Sequence, residues 1–267
     1  MVRTPRDVQR VAITTTALIL TGVCGGRGTR AASGWPDERI VGTFHCHADF
    51  SLDPHGPMLV EMARLQDDLT RTLGIRSAQE TVHLFLFHRE SVYKSYIREY
   101  FPEVPYRRAL FIKDQGPGMV FAFQNTEFAI DLRHESTHAL LHAALPLVPL
   151  WLDEGLAEYF EVPAADRPGK HPHMTKVRWS ARFGNIPKLE RLEQIRELEQ
   201  MGQKEYREAW AWVHFMLDGS SEARDELTKY LAALQSHSPP GILSHRLRIR
   251  LPDLDRQFSE HFKTWSP

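Results

Sequence analysis

Residues 134–138 read His-Glu-Ser-Thr-His, and residues 151–160 read Trp-Leu-Asp-Glu-Gly-Leu-Ala-Glu-Tyr-Phe. On a helix, His134 and His138 lie a little over one turn apart and project from one face, where both imidazoles can grip one cation. Glu135 sits about 100° round the helix from His134. From there it reaches a water on the open side of the cation without being a ligand itself. A second helix carrying Glu154 supplies a third ligand. Three protein ligands and one open position make a catalytic zinc site rather than a closed structural one. Such a site demands two packed helices side by side. Ile130 and Ala139-Leu140-Leu141 mark the first as buried, no Pro or Gly interrupts residues 128–145, and Pro146 and Pro149 in the short link suit an antiparallel return. Zinc brings the pKa of its water toward neutrality, and Glu135 is placed to take the proton as that water attacks a carbonyl.

The pair of segments resembles the motif of the gluzincin metallopeptidases, the clan of the thermolysin-like enzymes, and within it the smaller bacterial peptidase MA-like proteins. The resemblance covers about residues 82–162. It implies that His134, His138 and Glu154 are the zinc ligands and Glu135 the general base. It also implies that Glu158, at a family position often occupied by Asp, is the carboxylate that holds a ligand histidine in its tautomer and orientation. The implied activity is a zinc-dependent metallopeptidase acting on a peptide or protein. The implied fold is α+β: a small mixed sheet before the motif helix and a C-terminal helical lobe, forming a thermolysin-like catalytic core. In this family an edge strand pairs with the substrate backbone, and Met119–Phe123 is the candidate for it, against the equal reading that it packs within the sheet as an ordinary strand. The C-terminal lobe often places a Tyr or His near the metal to stabilise the oxyanion. Tyr206 and His214 are candidates by type and lobe, against the reading that the stripe Tyr206, Trp210, Trp212 simply packs the helix on the core. The Gly-x-Met-Glu-Asn motif of gluzincin aminopeptidases is absent.

Other ligand sets fit less well. A metzincin needs Gly and His farther along the motif helix, where Leu141 and Ala144 stand. His142 is about 12 Å along the axis from His134, too far to share one shell. Glu158 is the alternative third ligand, with the roles of Glu154 and Glu158 exchanged. His45 and His47 share one face of a strand, but no carboxylate or further ligand accompanies them in sequence, so they read as ordinary strand residues. His171 and His173 fall in a polar loop. Two functional alternatives stand beside the peptidase: an inactive zinc-binding scaffold module, which would have no need of Glu135, and a zinc hydrolase of non-peptide amides.

Arg3, Arg6 and Arg10 precede an apolar stretch from Val11 to Val23, the pattern of a secretory signal peptide over residues 1–32 with a cleavage site near Ser33. The expected location is secreted or periplasmic; a lipoprotein anchored at Cys24 is the alternative. The first 32 residues hold five Arg and one Asp, so the remainder carries 28 basic and 33 acidic groups. That balance gives no basic surplus for nucleic acid, and no stable membrane span is expected. Cys46 would be the single cysteine left, without a disulfide partner. The organisation read from the chain is an α/β zinc-binding lobe over 33–162 and a helical lobe over 163–267. Strands are expected over 40–50, 81–87, 109–113 and 119–123, the last two joined by a Gly116-Pro117-Gly118 turn. Helices are expected over 57–73, 92–100, the motif region, 189–201, 205–217, 223–234 and 254–265, with a loop over 163–175.

Overall fold

Alternation along the strands builds a sheet with two different apolar faces. A computed structural model describes residues 34–114 and 116–265, so the expected signal segment, the cleavage site at Ser33 and the anchor at Cys24 lie outside the described residues. The strands are β1 (Asp37–Val41), β2 (Phe44–Ala48), β3 (Val82–Phe87), β4 (Ala109–Ile112) and β5 (Met119–Phe123). They form one mixed sheet in the order β1-β2-β3-β5-β4. The central β2, β3 and β5 are parallel, and β1 and β4 are antiparallel edges. Phe44, Cys46, Ala48, Val82, Leu84, Leu86, Val120 and Ala122 face the main core. Phe87, Leu110, Ile112, Phe121 and Phe123 face a smaller cluster with Tyr93 and Ile97.

The helices are α1 (Gly56–Leu73), α2 (Glu90–Tyr100), α3 (Phe128–Ala144), α4 (Leu150–Phe160), α5 (Met174–Arg182), α6 (Leu189–Leu192), α7 (Gln203–Asp218), α8 (Ser221–Gln235), α9 (Leu243–Arg250) and α10 (Leu254–Thr264). In α1, Leu59, Met62, Leu65, Leu69 and Leu73 recur at three- and four-residue spacing and are buried. Tyr93 and Ile97 do the same for α2, which covers the other face of the sheet. α3 lies on β4 and β5, α4 packs on α3, and α7 packs on α4. One apolar core runs from the sheet through α4 into α7, α8 and α10. The chain is therefore α+β, with a small mixed sheet and about ten helices among the described residues. None of those helices is long and apolar enough to cross a membrane.

Three differences from the sequence reading have physical causes. The expected strand over 40–50 is a hairpin: Gly42 turns with φ 60°, and a Cβ there would lie 2.8 Å from the Ala63 carbonyl oxygen. The expected helix over 189–201 stops after α6, because the Gln200 side-chain oxygen accepts from the backbone N–H groups of Arg196 and Glu197 and starts a separate 3₁₀ turn at Leu198. β5 is not the edge strand. It is bonded to β3 on one side and β4 on the other, and β4 takes the edge. Two helices, α5 and α9, were not expected.

α4 can reach α7 closely only because residue 155 is glycine. A Cβ at Gly155 would meet the Ala209 carbonyl oxygen at 2.8 Å and Val213 Cγ2 at 2.9 Å. Gly155→Ala must push the helices apart, at about 1–3 kcal/mol. The thermal midpoint should then fall by roughly 2–4 °C for each kcal/mol. An unchanged midpoint would show that the contact tolerates a methyl group and does not set the position of α4.

Candidate metal centre

The sheet and α7 hold α3 and α4 together, and their facing side chains form a buried polar cluster. His134 and His138 project from α3 with their Nε2 atoms 3.3 Å apart. Glu154 Oε2 comes from α4 to 3.6 Å from His134 Nε2 and 3.5 Å from His138 Nε2. Bonds of about 2.0–2.1 Å to a tetrahedral zinc set ligand atoms roughly 3.3–3.4 Å apart, so this triangle has the size of one face of such a shell. All three residues are 2% exposed or less. No close hydrogen bond reaches either oxygen of Glu154, whose contacts with the two rings are long. A buried carboxylate in that state is costly unless a cation faces it. The buried His and Glu groups can therefore hold a metal ion, and the donor set fits one.

Carboxylates behind the two imidazoles fix their direction. Glu161 Oε2 lies 3.1 Å from His134 Nδ1, and Asp153 Oδ2 lies 3.0 Å from His138 Nδ1. A proton on each Nδ1, facing its carboxylate, leaves each Nε2 lone pair free for a cation. Burial would lower the pKa of His134, but Glu154 and Glu161 outweigh it and hold the ring well above its ordinary value. Burial would raise Glu154, and the charges of His138 and His134 hold it well below the usual carboxylate range. The position of Glu161 is itself fixed: Arg133 Nε donates to the Glu161 carbonyl, and Arg133 Nη1 pairs with Glu61 at 2.9 Å. A bidentate pair from Arg108 to Asp131, at 2.6 Å in both arms, ties the start of α3 to the strand edge.

Glu135 follows His134 and is 2% exposed. Burial pushes its carboxyl up to about 7, with the Glu154 and Asp131 charges adding to the rise and His134 opposing it. It accepts from the backbone N–H of Phe111 on edge strand β4, and its Oε2 has no hydrogen-bond partner. The general-base candidate thus sits between the metal cluster and the sheet edge, with one oxygen held and one free.

The remaining expected residues separate. Tyr206, in the first turn of α7, is buried, and its phenol pKa is raised by burial and then by the charges of Glu154, Glu158 and Glu135. It therefore faces the cluster. His214 does not serve there: its Nδ1 meets His261 Nε2 at 2.9 Å and its Nε2 meets the Pro168 carbonyl at 3.1 Å. Its ring packs among Trp210, Phe262 and Trp265. Tyr206 and His214 stand eight positions apart, about 12 Å of helix, which lets only one of them reach a single point. Glu158 keeps company with His134 and Glu161, but its closest ring partner is His173 Nε2 at 3.1 Å. The carboxylate placed on His134 Nδ1 is Glu161, one turn further along.

Asp153, Glu161, His171 and His173 were not anticipated as part of this cluster. Glu154, Glu158 and Glu161 recur at four and three residues and so share a helix face, which is a signal the sequence contains. His171 and His173 come from the polar loop before α5. His171 is 3% exposed, lies 3.5 Å from Glu161 Oε1 and stacks on Trp210. No local pattern marks that approach.

Truncating the orienting carboxylates should weaken metal binding without removing a ligand. Glu161→Ala and Asp153→Ala should each reduce zinc affinity about 10–100-fold, the usual cost of losing a group that holds a ligand histidine. Glu158→Ala should cost less. Competition against a chromophoric chelator gives the three values; a larger loss for Glu158→Ala than for Glu161→Ala would restore the orienting role to Glu158.

A family model described as "Protein of unknown function (DUF1570)" matches residues 129–240, a segment that contains α3, α4, α7 and every side chain of the metal cluster. No curated protein matches the chain.

Proposed function

We infer that the protein is a zinc-dependent hydrolase of peptide bonds, with a gluzincin-like catalytic core. The observation that carries this reading is the buried triangle of His134, His138 and Glu154 with Glu135 beside it, one carboxylate oxygen free. Two imidazoles and one carboxylate leave a tetrahedral ion one open position, the donor set of catalytic rather than structural zinc. A mixed sheet leading into α3, and α4 returning with Glu154, is the arrangement that the resemblance implies for such a core.

Zinc held by His134, His138 and Glu154 would polarise a carbonyl and acidify a water at its open position. The chain's own groups do the rest. Glu135 takes the proton of the attacking water, and its raised pKa suits it to hold that proton and pass it to the leaving amine. The Tyr206 hydroxyl donates toward the oxygen on which negative charge develops, and its high pKa keeps it a donor. Burial of the cluster strengthens each of these interactions, because little water competes. β4, the edge strand beside Glu135, replaces β5 as the candidate strand for pairing with an extended substrate backbone.

Glu135→Gln separates chemistry from metal binding, since Gln is nearly isosteric but cannot accept the proton. It should keep zinc and fold while losing about 10²–10⁴-fold in turnover. Tyr206→Phe should lower turnover by a smaller factor, and His214→Ala should affect stability rather than the chemical step. A broad peptide-library digest read by mass spectrometry supplies the substrate. Glu135→Gln cleaving that substrate at the wild-type rate would end the mechanism. Absence of zinc-dependent cleavage across the library would favour a zinc-binding module without catalysis.

A further inference from the structure

On the face of the sheet away from α3, three histidines meet that the linear sequence keeps apart. His45 and His47 are alternate residues of β2, and His83 stands opposite His45 in the parallel ladder with β3. Their ring centroids are 4.1, 5.3 and 5.2 Å apart, and each offers a nitrogen within 4.8 Å of the others. His47 Nε2 lies 2.9 Å from His83 Nδ1. Glu38, opposite His47 in the β1 ladder, places Oε1 2.6 Å from His47 Nδ1. A carboxylate was missing from the sequence around residues 45–47; the hairpin at Gly42 supplies it.

We propose that His45, His47 and His83 form a second metal site, independent of the first, for a divalent ion that imidazole favours, such as zinc or copper. Three imidazoles and an outward-facing open position make a recognised donor set for zinc, while magnesium and calcium require oxygen ligands. Glu38 accepting the Nδ1 proton of His47 leaves Nε2 bare and pointing at His83, the same device that orients His134 and His138 in the buried centre. Stacking of His47 on Phe85, and Trp35 packed against both, hold the central ring in place. His47 is 8% exposed, while His45 and His83 are half-buried, so an ion can enter from solvent.

The proposal does not depend on the hydrolase reading, and the test keeps the two apart. Tag-free protein, stripped with chelator, is dialysed against micromolar free zinc and its metal counted per chain by mass spectrometry. The double variant His134→Ala/His138→Ala should still bind one zinc, and adding His45→Ala/His83→Ala should leave none. In the otherwise intact chain, His45→Ala/His83→Ala should lower the count from two to one, which keeps the test valid if the first double variant does not fold. Glu38→Gln should weaken the outer site about 10–100-fold and leave the buried site unchanged. Magnesium in place of zinc should not bind there. Equal zinc counts for the intact chain and for folded His45→Ala/His83→Ala would overturn the proposal.

Discussion

A carboxylate with no exposed surface and no hydrogen-bond donor is the constraint around which this molecule is arranged. Glu154 Oε2 faces the imidazole edges of His134 and His138, at distances too long for strong hydrogen bonds and right for a shared cation. Burying an ionised group this way costs several kcal/mol unless opposite charge compensates it. A protonated imidazole is the compensation the chain can supply alone, and a divalent ion is the stronger one. An ion held there would link folding to metal loading, because an ion that binds the folded chain and not the unfolded one adds its binding energy to stability.

Most of the polar machinery comes from a single element. α4 and its C-terminal residue deliver Asp153, Glu154, Glu158 and Glu161, so the position of one short helix sets the ligand and both orienting carboxylates together. That position is fixed from outside the cluster. Gly155 admits the backbone of α7 against α4, and Trp210 and Trp212 fill the interior beside it. Arg133 reaches from α3 to the end of α4 and to α1, closing the arrangement from the far side. The helical region after residue 163 thus helps to position the candidate metal centre through the contact of α7 with α4.

The sequence made the ligands legible because their signal is local. His134, Glu135 and His138 are related by helix geometry alone, and Glu154 needs only one reversal of the chain. Met119–Phe123 is a strand as expected, but a hairpin does not say which of its strands pairs with the rest of the sheet, so the sequence leaves open whether it lies at the edge or inside. That was decided by β3 accepting β5 as a parallel neighbour. Glu158 and Glu161 share a helix face, and the choice between them depends on how α3 and α4 cross, which no spacing rule contains. His214 matched the expected residue type, yet its neighbours are His261 and the Pro168 carbonyl, groups brought in from distant parts of the chain. The His45, His47 and His83 group was missed for the same reason: its third histidine and its carboxylate arrive only through strand pairing.

The central claim is that His134, His138 and Glu154 bind one ion together. A crystal of zinc-loaded protein, with diffraction measured on both sides of the zinc absorption edge, tests it most directly. The account predicts an anomalous peak between the two Nε2 atoms and a Glu154 oxygen, with bonds of about 2.0–2.1 Å. A zinc-loaded crystal with no peak there, or with the ion held by Glu158 and Glu161 instead, would contradict it.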